Sequence, residues 1–219
     1  MALNKLKFNS LNVTPTAGKT VGFNSSANGL EATLSGGAMT FIKKLTASSS
    51  STLSFVNGTS DVVLDSTYKE YVFTFNNLHV ASDSANLTFQ GSTDTGSNYN
   101  TTLTSSYFEA YHAEGDGAQG LGYEANKDLA QSTNFQPIFW SNGTGNDESA
   151  SGYLRLFNPS STTFVKHFIH TGGHNVSYDY AVNTFMAGYF NTTSAIDAIQ
   201  FKSSSGNIDA GDICLYGIL

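Results

Sequence analysis

AIDAIQFKSSSGNIDAGDICLYGIL, residues Ala195 to Leu219, reads as two strands joined by a polar turn. Ile196, Ile199 and Phe201 form a first apolar run. Ser203–Asn207 supplies the turn, with Gly206 and Asn207 able to take positive φ at little cost. From Asp212 onward polar and apolar residues partly alternate, Ile213 and Leu215 to one side and Asp212 and Cys214 to the other, which is the period of a strand. The stretch ends at Leu219 without a polar tail, so its last residues are expected inside a sheet rather than frayed.

The composition agrees with that start. A chain of 219 residues fits one β-rich domain, and 39% hydrophobic residues can fill a sizeable core. Sixteen Phe and eleven Tyr against one Trp suit many short strands whose inner faces are packed with rings. Only 12% of residues are charged, about half the usual fraction, so Ser, Thr, Asn and Gly must cover the outside. A net charge of −7 with ten Lys plus Arg argues against nucleic acid and anionic membranes as partners. The single cysteine, Cys214, leaves no internal disulfide and reads as a buried, inert thiol. MALNKLKFNSLN lacks the apolar run of a signal peptide, and no segment has the length of a transmembrane helix, so synthesis in a cytosol is expected. A surface suited to the outside of a cell or particle does not match that origin.

Upstream, residues 1–37 read as an irregular arm with one or two short strands, and Lys5, Lys7 and Phe8 are its candidate anchoring residues. From Ala38 strand signals follow one another: Met39–Leu45, Leu53–Val56 closed by Asn57-Gly58, and Tyr68–Val80 with Tyr71, Phe73 and Phe75 on one face. Further runs start at Leu87 and Tyr99, with a Gly-rich loop expected over Gly115–Gly122. Tyr123–Gln131 offers at most a turn or two of helix. Phe135–Trp140 contains Pro137 and so belongs at an edge or bulge. Gly152–Phe157, Thr163–His170 and Tyr178–Tyr189 precede the closing pair. Short strands every roughly 8–12 residues with Gly/Asn/Ser turns predict an all-β fold, an antiparallel jelly-roll-like β-sandwich over 38–219 with an irregular N-terminal arm.

Chemistry-bearing residues are sparse. His167 and His170 differ by three positions and face opposite ways on a strand, and His174 follows Gly172-Gly173 in an expected loop, so the three are not read as a metal site. Asp94, Asn98 and Asn100, or Glu114 and Asp116, could offer oxygen ligands to calcium, but these are also the residues that turns use. Glu109, Glu114, Asp116 and Glu124 are the acids a hydrolase would need, with no motif that pairs them. The expectation is a protein without catalytic residues, cofactor or metal. Trp140, Tyr123 and Tyr178 stand beside Asn/Gly loops, where rings with amide neighbours can stack on sugars, and are the candidate glycan contacts.

Three pieces carry a resemblance. They are SSSSTLSFVNGTSDVVLDSTYKEYVFTFNNLHVASDSANLTFQGSTDTGSNYN, YLRLFNPSSTTFVKHF and the closing stretch, with Asp65-Ser66-Thr67-Tyr68, Tyr71-x-Phe73, Gly96-Ser97-Asn98-Tyr99 and Leu215-Tyr216-Gly217-Ile218 in that order. From Thr46 onward the chain resembles a family of bacteriophage virion proteins common in marine phages, cyanophages included. The resemblance implies a virion structural protein on the particle exterior, as tail fibre, appendage or capsid decoration, made in the host cytoplasm. Its implied partners are copies of itself, as a homotrimer, and other virion proteins. A host-glycan-binding module is the alternative. The resemblance to virion proteins would explain the mismatch between surface and origin, since such a protein is made in a cytosol and works on a particle exposed to seawater. At seawater ionic strength of ~0.6 M the Debye length shrinks to about 4 Å, and surface ion pairs lose most of their value.

Overall fold

The computed structural model describes residues 20–23, 26, 28–33 and 38–219. The chain divides into two units, Met1–Thr40 and Phe41–Leu219. In the first, β1 (Thr20–Phe23) and β2 (Leu30–Thr33) form an antiparallel hairpin, Thr20 opposite Thr33 and Phe23 opposite Leu30. Lys5, Lys7 and Phe8 lie outside the described residues.

The remaining elements are all strands: β3 (Met39–Thr46), β4 (Leu53–Val56), β5 (Glu70–Val80), β6 (Ala85–Ser92), β7 (Leu103–Ala113) and β8 (Gln119–Tyr123). They continue with β9 (Gln136–Asn142), β10 (Ala150–Phe157), β11 (Lys166–Val176), β12 (Tyr180–Phe190), β13 (Ala198–Ser203) and β14 (Ile208–Ile218). Eight of them reproduce jelly-roll order. β3-β14-β5-β10 make one layer and β4-β13-β6-β9 the other, so the first of these strands lies beside the last and the second beside the seventh. The chain crosses between layers at nearly every step, as two nested Greek keys require. The stretch Ala195–Leu219 supplies the seventh and eighth strands, one per layer, each in the middle of its sheet between two neighbours.

Inward-facing rings fill the space between layers. Phe201 of β13 lies within 5.3–6.3 Å, centroid to centroid, of Phe55, Phe73, Phe75 and Phe89, and so touches both sheets. Phe89 continues the contact to Phe168 and Phe190. All seven are buried, as are Ile196, Ile199, Ile213 and Leu215. Cys214, on the opposite face of β14, is also largely covered. Edge-to-face geometry dominates, the arrangement that ring quadrupoles favour.

Four further strands extend the first layer past β10, in the order β11-β12-β7-β8. They are two hairpins inserted into the jelly roll, β7–β8 between its fourth and fifth strands and β11–β12 between its sixth and seventh. A single pair, Val176 opposite Asn142, joins this extension to β9, the edge of the smaller layer. Pro137 sits on that edge strand beside register shifts, where a missing N–H costs least.

Two sequence expectations change here. The Gly115–Gly122 loop gives way at Gln119 to the edge strand β8, whose glycines the pairing with β7 holds extended. Gly120 lies under the Tyr111 ring, where a Cβ would come within 2.9 Å of it. Likewise β11 does not stop at His170 but runs through Gly172-Gly173 to Val176, placing His174 in the strand rather than in a loop. The reason is packing: a Cβ on Gly172 would meet Phe139 Cε1 at 2.4 Å, so the glycine is what lets that ring lie against the strand. His170 and His174 therefore face inward together, on either side of Gly172, while His167 faces out.

Candidate binding pocket

The four-stranded extension is wider than the layer opposite, which ends at β9, so the inner face of β7 and β12 needs other cover. Residues 124–135 provide it. After β8 the chain stays hydrogen-bonded to β7, through Glu124 N to Tyr107 O (2.9 Å) and Leu103 N to Ser132 O (2.9 Å), but between them it makes a turn that drives Lys127 inward. Gln136 holds the turn from below, its Nε2 donating to the Lys127 carbonyl at 2.9 Å.

Lys127 meets Glu109 there. Its Nζ lies 2.9 Å from Glu109 Oε1 and 3.4 Å from Glu124 Oε2, and the side chains of Lys127 and Glu109 are 9% and 4% exposed. The second Glu109 oxygen, Oε2, accepts from Trp140 Nε1 at 2.6 Å. The ammonium also sits 3.3 Å from the centre of the Trp140 ring, a cation–π contact that occupies that face of the indole. Beneath, Tyr107 hydrogen-bonds Thr184 Oγ1 at 3.1 Å, and burial pushes its phenol well above the ordinary range, so it stays neutral.

Above this pair lies a pocket of about 330 Å³ lined by Glu109, Tyr111, Glu124, Asn126, Lys127, Trp140, Tyr178 and Tyr180. Its rings form a chain. Tyr111 stacks on Tyr180 (5.7 Å, 15°), Tyr178 stands edge-on to Tyr180 (4.9 Å, 78°), and Trp140 leans on Tyr178 (5.9 Å, 50°). Tyr178 is 44% exposed and is the ring most open to solvent. Burial, then the Glu109 charge, raises its phenol above the ordinary value. A larger hollow of about 890 Å³ lies elsewhere, but Ser and Thr of 160–163 line much of it and it lacks such a ring cluster.

Of the three expected glycan contacts, the fold brings Trp140 and Tyr178 together and separates Tyr123. Trp140 is on strand β9 rather than in a loop, and its N–H is spent on Glu109. Tyr123 pairs with Phe108 on the outer face, and its hydroxyl donates to Asp128. Glu109 is a buried ion-pair partner, while Asp116 sits in the exposed turn beyond β7 and contacts His112. Asp94 organises its own turn. Hydrogen bonds from Asn98 and Ser92 hold its carboxyl down to about 2, and a second carboxylate at this turn, Asp197, accepts from Thr95 N at 3.0 Å. Among the described residues no three His, Cys, Asp or Glu side chains converge as metal ligands.

Lys127, Tyr180, Tyr111 and Asn126 were not singled out from the sequence. Lys127 had a signal: it is the only Lys or Arg between Lys69 and Arg155, among Glu109, Glu114, Asp116, Glu124 and Asp128. A lone cation amid acids is a candidate for a buried pair. No family model, no curated protein and no solved structure matches the chain.

Proposed function

We propose that the protein is a structural component of a bacteriophage particle, displayed on its exterior, that works by associating with copies of itself and docking to the virion. The observation carrying this reading is the outer face of the eight-stranded layer. One row of side chains runs across it, Thr74, Tyr153, Thr171, Phe185, Phe108 and Tyr123 in successive strands. Phe108 stacks flat on Phe185 (5.0 Å, 9°), and Phe108, Tyr123, Tyr153, Ile169 and Leu121 are 39–73% exposed. Contiguous exposed apolar surface of this kind marks contact surfaces. Jelly rolls serve both capsids and lectins, so the fold is compatible with this role without selecting it. Docking to the particle is assigned to residues 1–37, and contact, not catalysis, is the mode of action.

Light scattering at seawater salt should give a homotrimer. Phe108→Lys combined with Leu121→Lys, both at exposed positions, should give a folded monomer, its melting temperature lowered by the lost association and the lost Phe108–Phe185 stack. A wild-type monomer, or a trimer indifferent to the two lysines, would remove the self-association.

A further inference from the structure

We propose that the pocket over the Glu109–Lys127 pair binds a neutral saccharide, which goes beyond the docking reading and stands independently of it. A sugar presents an apolar C–H face and a rim of hydroxyls, and both are matched here. Tyr178 and Tyr180, at 78° to one another, offer an exposed ring face and an adjoining wall. At the rim stand the Glu124 carboxylate, 29% exposed, and the Asn126 amide. The hydroxyls of Tyr111, Tyr178 and Tyr180, three groups able to donate and accept, make no hydrogen bond to another described residue. A volume of about 330 Å³ lies at the small end for ligand pockets, which run from roughly 300 to 1,000 Å³.

Charge selects among sugars. Two carboxylates and one ammonium leave the pocket with a net negative charge inside a protein of net −7, which disfavours uronic or sulfated glycans. A cationic ligand would gain from that charge but would find its strongest aromatic partner taken, because Lys127 already fills the cation position over Trp140 at 3.3 Å. The neutral class remains. The site is also held in shape beforehand: the ion pair, the Trp140–Glu109 bond and the Gln136 bond to the turn fix the floor before any ligand arrives. It is built by the inserted hairpins, the turn of residues 124–127 and the edge strand β9, leaving the other seven jelly-roll strands as scaffold.

Trp140 is the only tryptophan, so its fluorescence reports on this pocket alone. The full-length protein would be titrated with neutral malto-, manno-, laminari- and N-acetylglucosamine oligosaccharides, and with oligogalacturonate as the acidic counterpart. A saturable change with at least one neutral series is expected, absent with oligogalacturonate. Tyr178→Ala should weaken it by about tenfold or more, as removal of a central aromatic contact does. Phe164→Ala, at an exposed ring outside this pocket, should leave it unchanged. No saturable response to any neutral series, tighter binding of oligogalacturonate, or equal affinity in Tyr178→Ala would each overturn the proposal. The oligomeric state plays no part in this readout, so either proposal can fail alone.

Discussion

Acidification from about pH 7 to about pH 4.5 is expected to remove about 5 kcal/mol of stability through two histidines, a large part of the total for a domain of this kind. His170 and His174 are buried on the inner face of β11 with the Phe139 ring between them, at 4.8 and 5.4 Å. Each makes one hydrogen bond to a carbonyl, which can only accept: His170 Nδ1 to Tyr153 O and His174 Nε2 to Trp140 O, both at 3.0 Å. Those nitrogens therefore carry the proton. The others, His170 Nε2 and His174 Nδ1, are buried without a partner. A neutral ring tolerates that as an unused acceptor, whereas an imidazolium would have a bare N–H in the core.

Burial accordingly holds His170 down to about 3 and His174 to about 4, against an ordinary value of 6.5. The unfolded chain takes up both protons as pH falls through 6.5, and the native state does not. Stability is thus complete above 6.5, falls by about 1.4 kcal/mol per histidine per pH unit below it, and stops falling only near 4 and 3, where the native rings protonate. Urea denaturation across this range should show the slope, and His174→Gln, which can still donate to the Trp140 carbonyl, should halve it. A flat profile above pH 4.5, or an unchanged slope in His174→Gln, would mean that these rings reach water. The depressed carboxyl of Asp94, at about 2, titrates below this window and does not confuse it.

These histidines also show where sequence reading stops. The closing pair of strands was legible because its pattern is local: Ile196, Ile199 and Phe201, then Ile213 and Leu215, all turn out buried, with the turn where the small residues put it. The inward set Tyr71, Phe73 and Phe75 was legible for the same reason. Gly172-Gly173 misled because a glycine pair in isolation favours a turn, and what keeps it extended is non-local, pairing with β10 and β12 on its two sides and the Phe139 ring above. The pocket was half legible. Trp140 and Tyr178 announced themselves as rings, but whether two rings 38 positions apart meet depends on two hairpins being inserted on the same edge of a jelly roll. Tyr123 lies apart from them through a strand's period of two, since it shares a row with Phe108 and not with Glu109.

Glu109→Ala should destabilise the protein by about 3–5 kcal/mol, because it strands a buried ammonium rather than because the pair is strongly stabilising. Without the carboxylate, Lys127 keeps only Glu124 at 3.4 Å, and Trp140 Nε1 loses its acceptor. Lys127→Met should cost a similar amount from the opposite side, leaving a carboxylate with 4% exposure and a single neutral donor. The double variant Glu109→Met/Lys127→Met removes both charges and keeps the volume, so it should lose much less than the sum of the single changes, with a coupling of roughly 2 kcal/mol or more. Urea midpoints for the four proteins give this cycle directly. Strictly additive losses would mean that the two charges are solvated independently and that the turn carrying Lys127 is not closed over β7. The same double variant separates support from recognition. If it stays folded and still answers a neutral oligosaccharide through Trp140, the ion pair is a floor, and the exposed Tyr178 with the rim groups Glu124 and Asn126 makes the contact. If stability is kept but the response is lost, the charged pair itself touches the sugar.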